Sequence, residues 1–333
     1  MKSYGTLGSL QAVVFSLALA HLSCAAGAQP PEFGEGENRG LLADDLITEA
    51  SGLAASAETP GVLWTHNDSE DTTRIFAVGL RGEAYGTFHL EGSSARDWED
   101  IAVGPGPDST VSYLFVADIG DNNASYETKR IHRVAEPTVD TGAGNVIGVL
   151  RNVETITYRY PDGARDAECM MVDPLTRDLY VVSKREPDVR VYRAPWPQST
   201  TETITLEYVA TLDSISWVTA GDISSDGGEI LIKNYAFVYY WERHQEESIA
   251  EAFERRPMLL PYLQEPQGEA IAWLRDGSGY YTVSEERGGI EASLWFYPRQ
   301  GSAGVGGPHQ SHADQGGLPD LTGVFRTEGP RTP

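Results

Sequence analysis

Carboxylates recur at the starts of short apolar segments in this chain, and further acids and amides follow where the next β-rich segment ends. Hard cations such as Ca²⁺ bind carboxylate and carbonyl oxygens, whereas zinc favours the nitrogen and sulfur atoms of histidine and cysteine. The sequence therefore predicts a divalent-cation site, with Ca²⁺ as the expected ion, if these acids meet in the fold. The predicted metal ligands are Glu99, Asp100, Asp118, Asp121, Glu168, Asp222 and Glu269.

Other side chains could act on a substrate beside such a cation. A bound cation polarises a phosphoryl or lactone oxygen, and a nearby base accepts a proton from water. The predicted bases are His66 and Glu168. Alternatively, His66 hydrogen-bonds within the turn that it forms with Asn67 and Asp68. The residues predicted to bind an anionic substrate are Lys184, Arg185, Lys233 and Asn234.

Each predicted ligand also has a purely structural interpretation. A carboxylate at the start of a strand can accept neighbouring backbone N–H groups, as Glu99, Glu168 and Glu269 would do. The run Asp118-Ile119-Gly120-Asp121-Asn122-Asn123 has the composition of a tight turn. Convergence of acids from distant parts of the chain on one opening is the feature that favours ligands over caps and turns.

A five-fold repeat would bring these acids together. A small or acidic opening followed by an apolar strand begins at Ser51, Glu99, Glu168, Gly221 and Glu269. A strand-type unit repeated about every 50 residues indicates a propeller, because a single four-stranded unit cannot bury its own faces. We predict an all-β fold, a single β-propeller over residues 41–300 with five four-stranded blades. The alternative is a sixth blade between Arg130 and Asp166.

The predicted elements follow the same pattern, with one helix over Glu247 to Arg256. The segment Gly40 to Leu46 would supply the outer strand of the last blade and close the ring, which removes exposed sheet edges. The predicted strands are Val62–Trp64, Arg74–Leu80, Tyr113–Ala117, Val153–Tyr160, Leu179–Ser183, Val189–Tyr192, Glu229–Lys233, Val238–Trp241, Tyr280–Val283 and Leu294–Tyr297.

Propeller geometry predicts where the acids lie. The start of each innermost strand and the end of the second strand share one mouth of the central channel, because consecutive antiparallel strands reverse direction. Acids at the inner starts and acids or amides at the second-strand ends would therefore surround one opening. So many carboxylates at one opening repel each other unless they are protonated, solvated or bridged by a cation.

Two repeats resemble a known group of proteins. The units Glu269-Ala270-Ile271-Ala272 with Tyr281 to Glu285, and Asp97 to Ala102 with Leu114 to Asp118, resemble blades of the bacterial SdiA-regulated and phytase-like β-propellers. They are similar, more distantly, to the calcium-dependent lactonase and phosphotriesterase propellers. The resemblance covers about residues 47–300.

The resemblance implies calcium in or beside the channel and, for some relatives, hydrolysis of phosphoesters or lactones. Fold alone does not carry an activity from one protein to another. By position, the resemblance assigns Glu99, Glu168, Asp222 and Glu269 to inner-strand sites that hold metal or shape the channel. Ser51 and Gly221 depart from this pattern, because they replace the acidic residue that opens the other three blades.

The two ends of the chain read differently from the repeats. Residues 1–28 have the positive start, the short apolar stretch and the Ala26-Gly27-Ala28 site of a signal peptide, which predicts a secreted or periplasmic protein. A buried N-terminal helix and lipid attachment at Cys24 are the alternatives. Residues 29–40 are predicted to be a linker, and residues 301–333 a disordered Gly/Pro-rich tail.

The charge of the chain limits its partners. Its formal net charge of −24 at pH 7 disfavours nucleic acids and anionic membranes, because like charges repel. We expect a monomer without a transmembrane segment, whose partners are a divalent cation and either a small anionic substrate or a component of the cell envelope. Two functions remain open. The first is a binding or scaffold module, and the second is a calcium-dependent hydrolase of phosphoesters or lactones.

Overall fold

The structure is a computed structural model that describes residues 30–68 and 71–301. The predicted signal peptide, Cys24 and all of the predicted tail except Gly301 lie outside these residues. The strands are β1 (Glu32–Phe33), β2 (Glu37–Leu41), β3 (Ala50–Ala55), β4 (Val62–Asn67), β5 (Arg74–Gly79), β6 (Ala84–Leu90), β7 (Trp98–Pro105), β8 (Ser112–Asp118), β9 (Lys129–Ala135), β10 (Val146–Leu150), β11 (Glu154–Arg159), β12 (Ala167–Val172), β13 (Leu179–Ser183), β14 (Val189–Ala194), β15 (Ile204–Thr205), β16 (Glu207–Leu212), β17 (Val218–Ile223), β18 (Glu229–Asn234), β19 (Val238–Glu242), β20 (Met258–Leu260), β21 (Gly268–Trp273), β22 (Gly279–Ser284) and β23 (Ser293–Gln300).

These strands form five sheets arranged in a ring, which confirms the predicted five-bladed propeller. From the innermost strand outward, the blades are β3-β4-β5-β6, β7-β8-β9-β11, β12-β13-β14-β16, β17-β18-β19-β20 and β21-β22-β23-β2. Each innermost strand contacts the innermost strands of the two neighbouring blades. The starts of the repeats read from the sequence all lie within these five innermost strands.

The chain ends close the ring in the last blade. Strand β2 pairs antiparallel with β23, with Glu37 opposite Phe296 and Leu41 opposite Ser293. The predicted closing strand, Gly40 to Leu46, therefore begins three residues too late. The strand ends at Leu41 because the next residues form a turn in which the Asp44 carboxylate accepts the Leu46 N–H at 3.1 Å. Strands β1 and β2 also occupy half of the predicted linker, residues 29–40.

The segment considered for a sixth blade is instead divided between two blades. Residues 130–166 contain most of β9 and all of β10 and β11, and β10 pairs in parallel with β6 as a fifth strand of the first blade. Strand β10 leaves Ile147 81% exposed, so it buries one face only. A separate blade must bury both faces, and this strand lacks the neighbours to do so.

The core consists of five hydrophobic clusters, one between each pair of neighbouring blades. Trp64 and Trp98 fill the contact between the first two blades. In the fifth blade Tyr280 stacks on Tyr297, with 4.7 Å between the ring centroids. Burial of a large apolar side chain contributes about 1.5–3 kcal/mol. Packing between blades therefore holds the ring together, and it fixes the positions of the innermost strands.

The predicted helix is shorter than expected. Helix α1 covers Ile249–Phe253, and Ser248 caps its first turn in a reciprocal pair of hydrogen bonds with Glu251. This capping box satisfies two free backbone N–H groups, so the helix begins after Ser248 and not at Glu247. Among the described residues, no helix has the length and apolar character needed to cross a membrane.

Candidate functional site

A one-residue bulge near the start of the innermost strand places acidic side chains at one mouth of the channel. In β7 the pairing passes from Trp98 opposite Asp118 to Asp100 opposite Ala117, which leaves Glu99 without a partner on β8. The same shift leaves Glu168 unpaired in β12 and Glu269 unpaired in β21. Bulges re-aim side chains and are frequent beside functional sites. We call the opening beside these bulges the acidic mouth.

In the fourth blade the repeat begins earlier than the sequence predicted. Its bulge lies at Thr219, between Val218 opposite Asn234 and Ala220 opposite Lys233. The residue equivalent to Glu99 is therefore Thr219, two residues before the predicted start at Gly221. Each residue along a strand lies about 3.3 Å farther along the channel. Asp222 therefore lies farther from the acidic mouth than the predicted start at Gly221 implied.

Five carboxylates from the first three blades meet at the acidic mouth. Oxygen atoms of Asp68, Asp97 and Glu99 lie within 4.8 Å of one another, and so do oxygen atoms of Glu99, Asp166 and Glu168. Both groups share the buried residue Glu99. We call this set the acidic cluster, and its members are Asp68, Asp97, Glu99, Asp166 and Glu168.

Two members of the cluster, Glu99 and Asp97, form no direct ion pair within the part of the chain that the structure describes. No side-chain hydrogen bond or ion pair reaches the Glu99 or Asp97 carboxylate from residues 30–68 or 71–301. Burial raises the pKa of Glu99 well above its usual value, and the carboxylates of Asp68 and Asp97 raise it further, although Lys184 lowers it in part. Burial and Asp166 also raise the pKa of Asp97, although Arg96 and Lys129 lower it in part. Such a pair takes up protons or binds a cation.

Gly120 forms one wall of this cluster. A Cβ atom at this position would overlap both Glu99 Oε1 and Asp97 Oδ2. Gly120 has no positive φ, so its lack of a side chain is not required by the backbone. The space beside the two carboxylates therefore depends on this glycine.

Two other carboxylates of the cluster, Glu168 and Asp166, are paired with the protein's own cations. Lys184 forms a buried ion pair with Glu168 and donates a hydrogen bond to the Tyr235 hydroxyl at 3.1 Å. Tyr235 in turn donates to Glu269 Oε1 at 2.7 Å. Lys184 thus connects the third, fourth and fifth blades. The sequence predicted it as a substrate-binding residue, and the structure places it inside this network.

Arg185 has a related role at the edge of the cluster. Its Nε donates to Asp166 Oδ2 at 2.5 Å, another of its nitrogens donates to Asn122, and its guanidinium lies 5.1 Å from the Trp217 ring centroid. Its side chain is 36% exposed, so it still faces solvent. Among the four predicted substrate-binding residues, Arg185 is the one that a ligand at the mouth could reach most readily.

The other two predicted substrate-binding residues point elsewhere. Lys233 is fully buried and donates to the Gly268 carbonyl, and burial lowers the pKa of its ammonium to about 8. Asn234 holds its own turn together, since its side-chain oxygen accepts the N–H groups of Ala236 and Phe237 at 2.9 and 2.8 Å. Neither side chain is available to an anionic substrate in this arrangement.

Two predicted metal ligands are caps for loops. The Asp118 carboxylate accepts the N–H groups of Arg96 and Asp97 at 3.2 and 2.9 Å. The Asp121 carboxylate pairs with the buried Lys129 ammonium at 2.6 Å and also accepts the Ser125 N–H at 2.9 Å. The turn interpretation therefore describes both acids better than the ligand interpretation, because their oxygens already have donors.

Two further predicted ligands join neighbouring blades inside the channel. Asp100 accepts the Met170 N–H from the third blade at 2.9 Å, and Asp222 accepts the Trp273 N–H from the fifth blade at 2.8 Å. Asp222 lines a small cavity with Arg275 that lies toward the opposite mouth. Each acid therefore acts as a link between innermost strands and not as a member of the acidic cluster.

The position of Asp222 predicts how stability depends on pH. Burial raises the pKa of Asp222 to about 7, above the value near 3.9 expected for an unfolded chain. Between about pH 4 and 7 the folded protein holds a proton on Asp222 that the unfolded chain has released. The stability that this proton contributes is therefore complete below pH 4 and is lost as the pH rises through 7. We expect the Asp222→Asn variant to show a smaller fall in the free energy of unfolding between pH 5 and 8.

Urea unfolding in EDTA at four pH values across this interval would measure the difference. Asp226→Asn is a suitable control, because Asp226 lies in a surface turn where hydrogen bonds from Ser224 and Gly228 lower the pKa of its carboxyl. Equal pH slopes for wild type and Asp222→Asn would contradict the assignment.

His66 is placed in the packed interior. Its side chain is fully buried, its Nδ1 lies 2.8 Å from the Asn67 carbonyl, and its ring meets the Trp98 ring edge-on. A Cβ at Gly52 would lie 2.7 Å from Nε2, so glycine makes room for the ring. Burial lowers the pKa of His66 to about 4, which keeps the ring neutral at pH 7. The structure therefore supports the alternative of a hydrogen bond to the adjoining turn more than the predicted base.

Comparison with known proteins yields a structural similarity and no sequence match. No family pattern matches this chain, and no curated protein sequence matches it. A solved structure titled "Crystal structure of Nidogen/Laminin Complex" is similar at 13% sequence identity and a TM-score of 0.43, over 71% of this chain and 72% of that chain. The arrangement of the acidic mouth must therefore be interpreted from this chain's own residues.

Proposed function

We propose that this protein is a binding or scaffold module whose acidic mouth holds a divalent cation. The observation that supports this proposal is the acidic cluster, in which two groups of three carboxylates share Glu99 and have oxygen atoms within 4.8 Å of one another inside each group. Glu99 and Asp97 form no direct ion pair among the described residues, burial and neighbouring carboxylates raise both of their pKa values, and Gly120 keeps the space beside them open. A bound cation would relieve the repulsion that raises the pKa values of both acids.

The residues of the cluster favour Ca²⁺ among the common ions. All five are carboxylates, and neither histidine nor cysteine belongs to the cluster. Ca²⁺ takes six to eight oxygen ligands in flexible geometry, whereas Mg²⁺ demands a near-octahedral shell and retains waters. Asp68, Asp97 and Glu99 would hold the ion. Asp166 and Glu168 would contribute in competition with Arg185 and Lys184.

Hydrolysis of phosphoesters or lactones has less support as the function. His66 is buried and neutral, and Lys184 and Lys233 are held in internal contacts. A general base must come within hydrogen-bond reach of the water that it deprotonates. Glu168, the second predicted base, is paired with Lys184. A binding role requires no such base and agrees better with these contacts.

The proposal includes an extracytoplasmic location and a distant kinship. The signal-peptide pattern predicts secretion or a periplasmic site, where a partner would belong to the cell envelope. The resemblance to the SdiA-regulated and phytase-like propellers supports a calcium ion near the channel. Location and kinship both rest on the sequence pattern.

Calcium titration tests the proposal. A ligand that binds the native state alone stabilises it by about 2.7 kcal/mol at a concentration 100-fold above its Kd. We therefore expect Ca²⁺ to raise the Tm of EDTA-treated protein and to give a saturable heat with a stoichiometry of one in titration calorimetry. Mg²⁺ should act more weakly. Absence of both the Tm shift and the heat, with Ca²⁺ in millimolar excess, would overturn the proposal.

A further inference from the structure

Exposed apolar side chains are concentrated on one face of the propeller. We define the mouth face as the ten loops that join an outer strand to the next innermost strand or a second strand to a third strand. Twelve large apolar side chains are exposed among the described residues, and six of them lie in the mouth-face loops. Five others lie on β2, β10, β16 or β20, and Leu175 alone lies in a loop of the opposite face.

The six side chains come from loops distributed around the ring. Each is between 47% and 56% exposed. Three of them lie in loops that follow a second strand, and three lie in loops that precede an innermost strand. The strands concerned belong to four different blades. The six are Leu46, Tyr126, Trp217, Phe237, Leu263 and Ile290. Scattered single exposures are ordinary on protein surfaces, but a concentration on one face marks an interaction site.

Two of these aromatic residues are linked to the acidic cluster. Trp217 packs against the Arg185 guanidinium, which pairs with Asp166 of the cluster. Tyr126 packs against Arg96 at 4.0 Å, and Arg96 directly precedes Asp97 of the cluster. These two aromatic side chains and the carboxylates therefore belong to one continuous surface.

The charge of the mouth face is strongly negative. Among its described residues, acidic side chains outnumber basic ones by 18 to five. Two of the five basic residues, Lys184 and Arg185, are already paired with the cluster. A surface of this charge attracts cationic groups and repels anionic lipids or nucleic acids.

We propose that the mouth face docks a segment of another protein that carries lysine or arginine beside apolar side chains. This inference rests on the proposed binding function and names the chemistry of the partner. Trp and Tyr side chains that are exposed in a free protein often become the buried centre of an interface with a partner. The apolar contacts around such a centre exclude water from it. A small cation alone would leave the exposed side chains on several loops without a role.

Binding of synthetic peptides to the mature protein tests the inference. The probes are three labelled 12-residue peptides with blocked ends, measured by fluorescence anisotropy at low and physiological salt. The first combines lysine and arginine with tryptophan and leucine, the second replaces the basic residues by glutamate, and the third replaces the apolar residues by serine. We expect the first to bind at least tenfold more tightly than either of the others and to weaken as salt is raised.

Matched variants show where the peptide binds. The double variant Trp217→Ser with Phe237→Ser removes two exposed aromatic residues of the mouth face, and Ile147→Ser with Leu259→Ser removes two exposed residues of outer strands. We expect at least tenfold weaker binding for the first pair and unchanged binding for the second. Equal effects of the two pairs, or equal binding of the first and third peptides, would overturn the inference.

Two further measurements separate this inference from other outcomes. The Ca²⁺-dependent rise in Tm should persist in the Trp217→Ser, Phe237→Ser variant, because neither residue belongs to the acidic cluster. Peptide binding at the mouth face without a calcium response would contradict the cation proposal alone. Binding of phosphatidylcholine vesicles through the same two aromatic residues, without peptide binding, would identify a membrane-docking surface and overturn the protein partner.

Discussion

Gly120→Ala is expected to weaken calcium binding strongly while leaving the propeller folded. The new Cβ would overlap Glu99 Oε1 and Asp97 Oδ2, and both carboxylates would have to turn away from the shared space. Overpacking of this kind costs about 1–3 kcal/mol in a well-packed site. The atoms displaced here are the ends of side chains, so the cost to the fold should lie at the lower limit. We expect at least tenfold weaker Ca²⁺ binding in calorimetry.

The control for this variant is Gly142→Ala. Gly142 lies in an exposed loop without a positive φ, and a Cβ there would meet nothing closer than 3.4 Å. It should leave both Tm and the calcium response unchanged. Glu99→Gln provides a second test, because it removes the charge and keeps the volume. If both Gly120→Ala and Glu99→Gln bind Ca²⁺ like the wild type, the ion binds elsewhere.

The propeller was predictable because its signal is repeated along the chain. Leu179–Ser183 is a strand with the bounds read from the sequence, and nine other predicted strands overlap observed ones. Strands such as β10 and β16 were missed because they bury one face only and lack strong apolar alternation. The closing strand was misplaced by three residues because Asp44 sets the turn after Leu41, which depends on tertiary position.

The acidic cluster was predictable in part. Glu99 and Glu168 were identified, but Asp97 and Asp166 were not proposed as ligands, because both lie in loops just before an innermost strand. A signal for them exists in the sequence. Asp97 and Asp166 each stand two residues before the bulge glutamate, so the second and third blades share an Asp-x-Glu pattern.

Four predicted ligands that lie outside the acidic cluster share a physical feature that the sequence did not show. A sequence shows which residues are acidic, but not which backbone N–H groups lie nearby. Asp118, Asp100 and Asp222 accept backbone hydrogen bonds that form only in the folded ring, and Asp121 accepts the Ser125 N–H within its own loop. Glu99 differs because its bulge leaves its side chain beside other acids and away from such donors.

Lys184→Met is expected to destabilise the protein strongly in the absence of calcium. Lys184 and Glu168 are both nearly buried, and removal of one partner of a buried ion pair costs about 3–5 kcal/mol. Lys184 also opposes the rise that burial causes in the pKa of Glu269 and of Glu285. Without its ammonium these carboxylates should protonate more readily, so the loss of unfolding free energy should be smaller at pH 5 than at pH 8.

Urea unfolding of the EDTA-treated variant at these two pH values measures the effect, and Arg151→Met is the control. Arg151 pairs with Glu91 at 3.5 Å, but the two side chains are 67% and 58% exposed, so its loss should cost less than about 1 kcal/mol. Ca²⁺ should restore part of the stability of Lys184→Met, because an added cation replaces the missing charge beside Glu168. A variant as stable as the control, or one without pH dependence, would show that Lys184 does not neutralise the mouth.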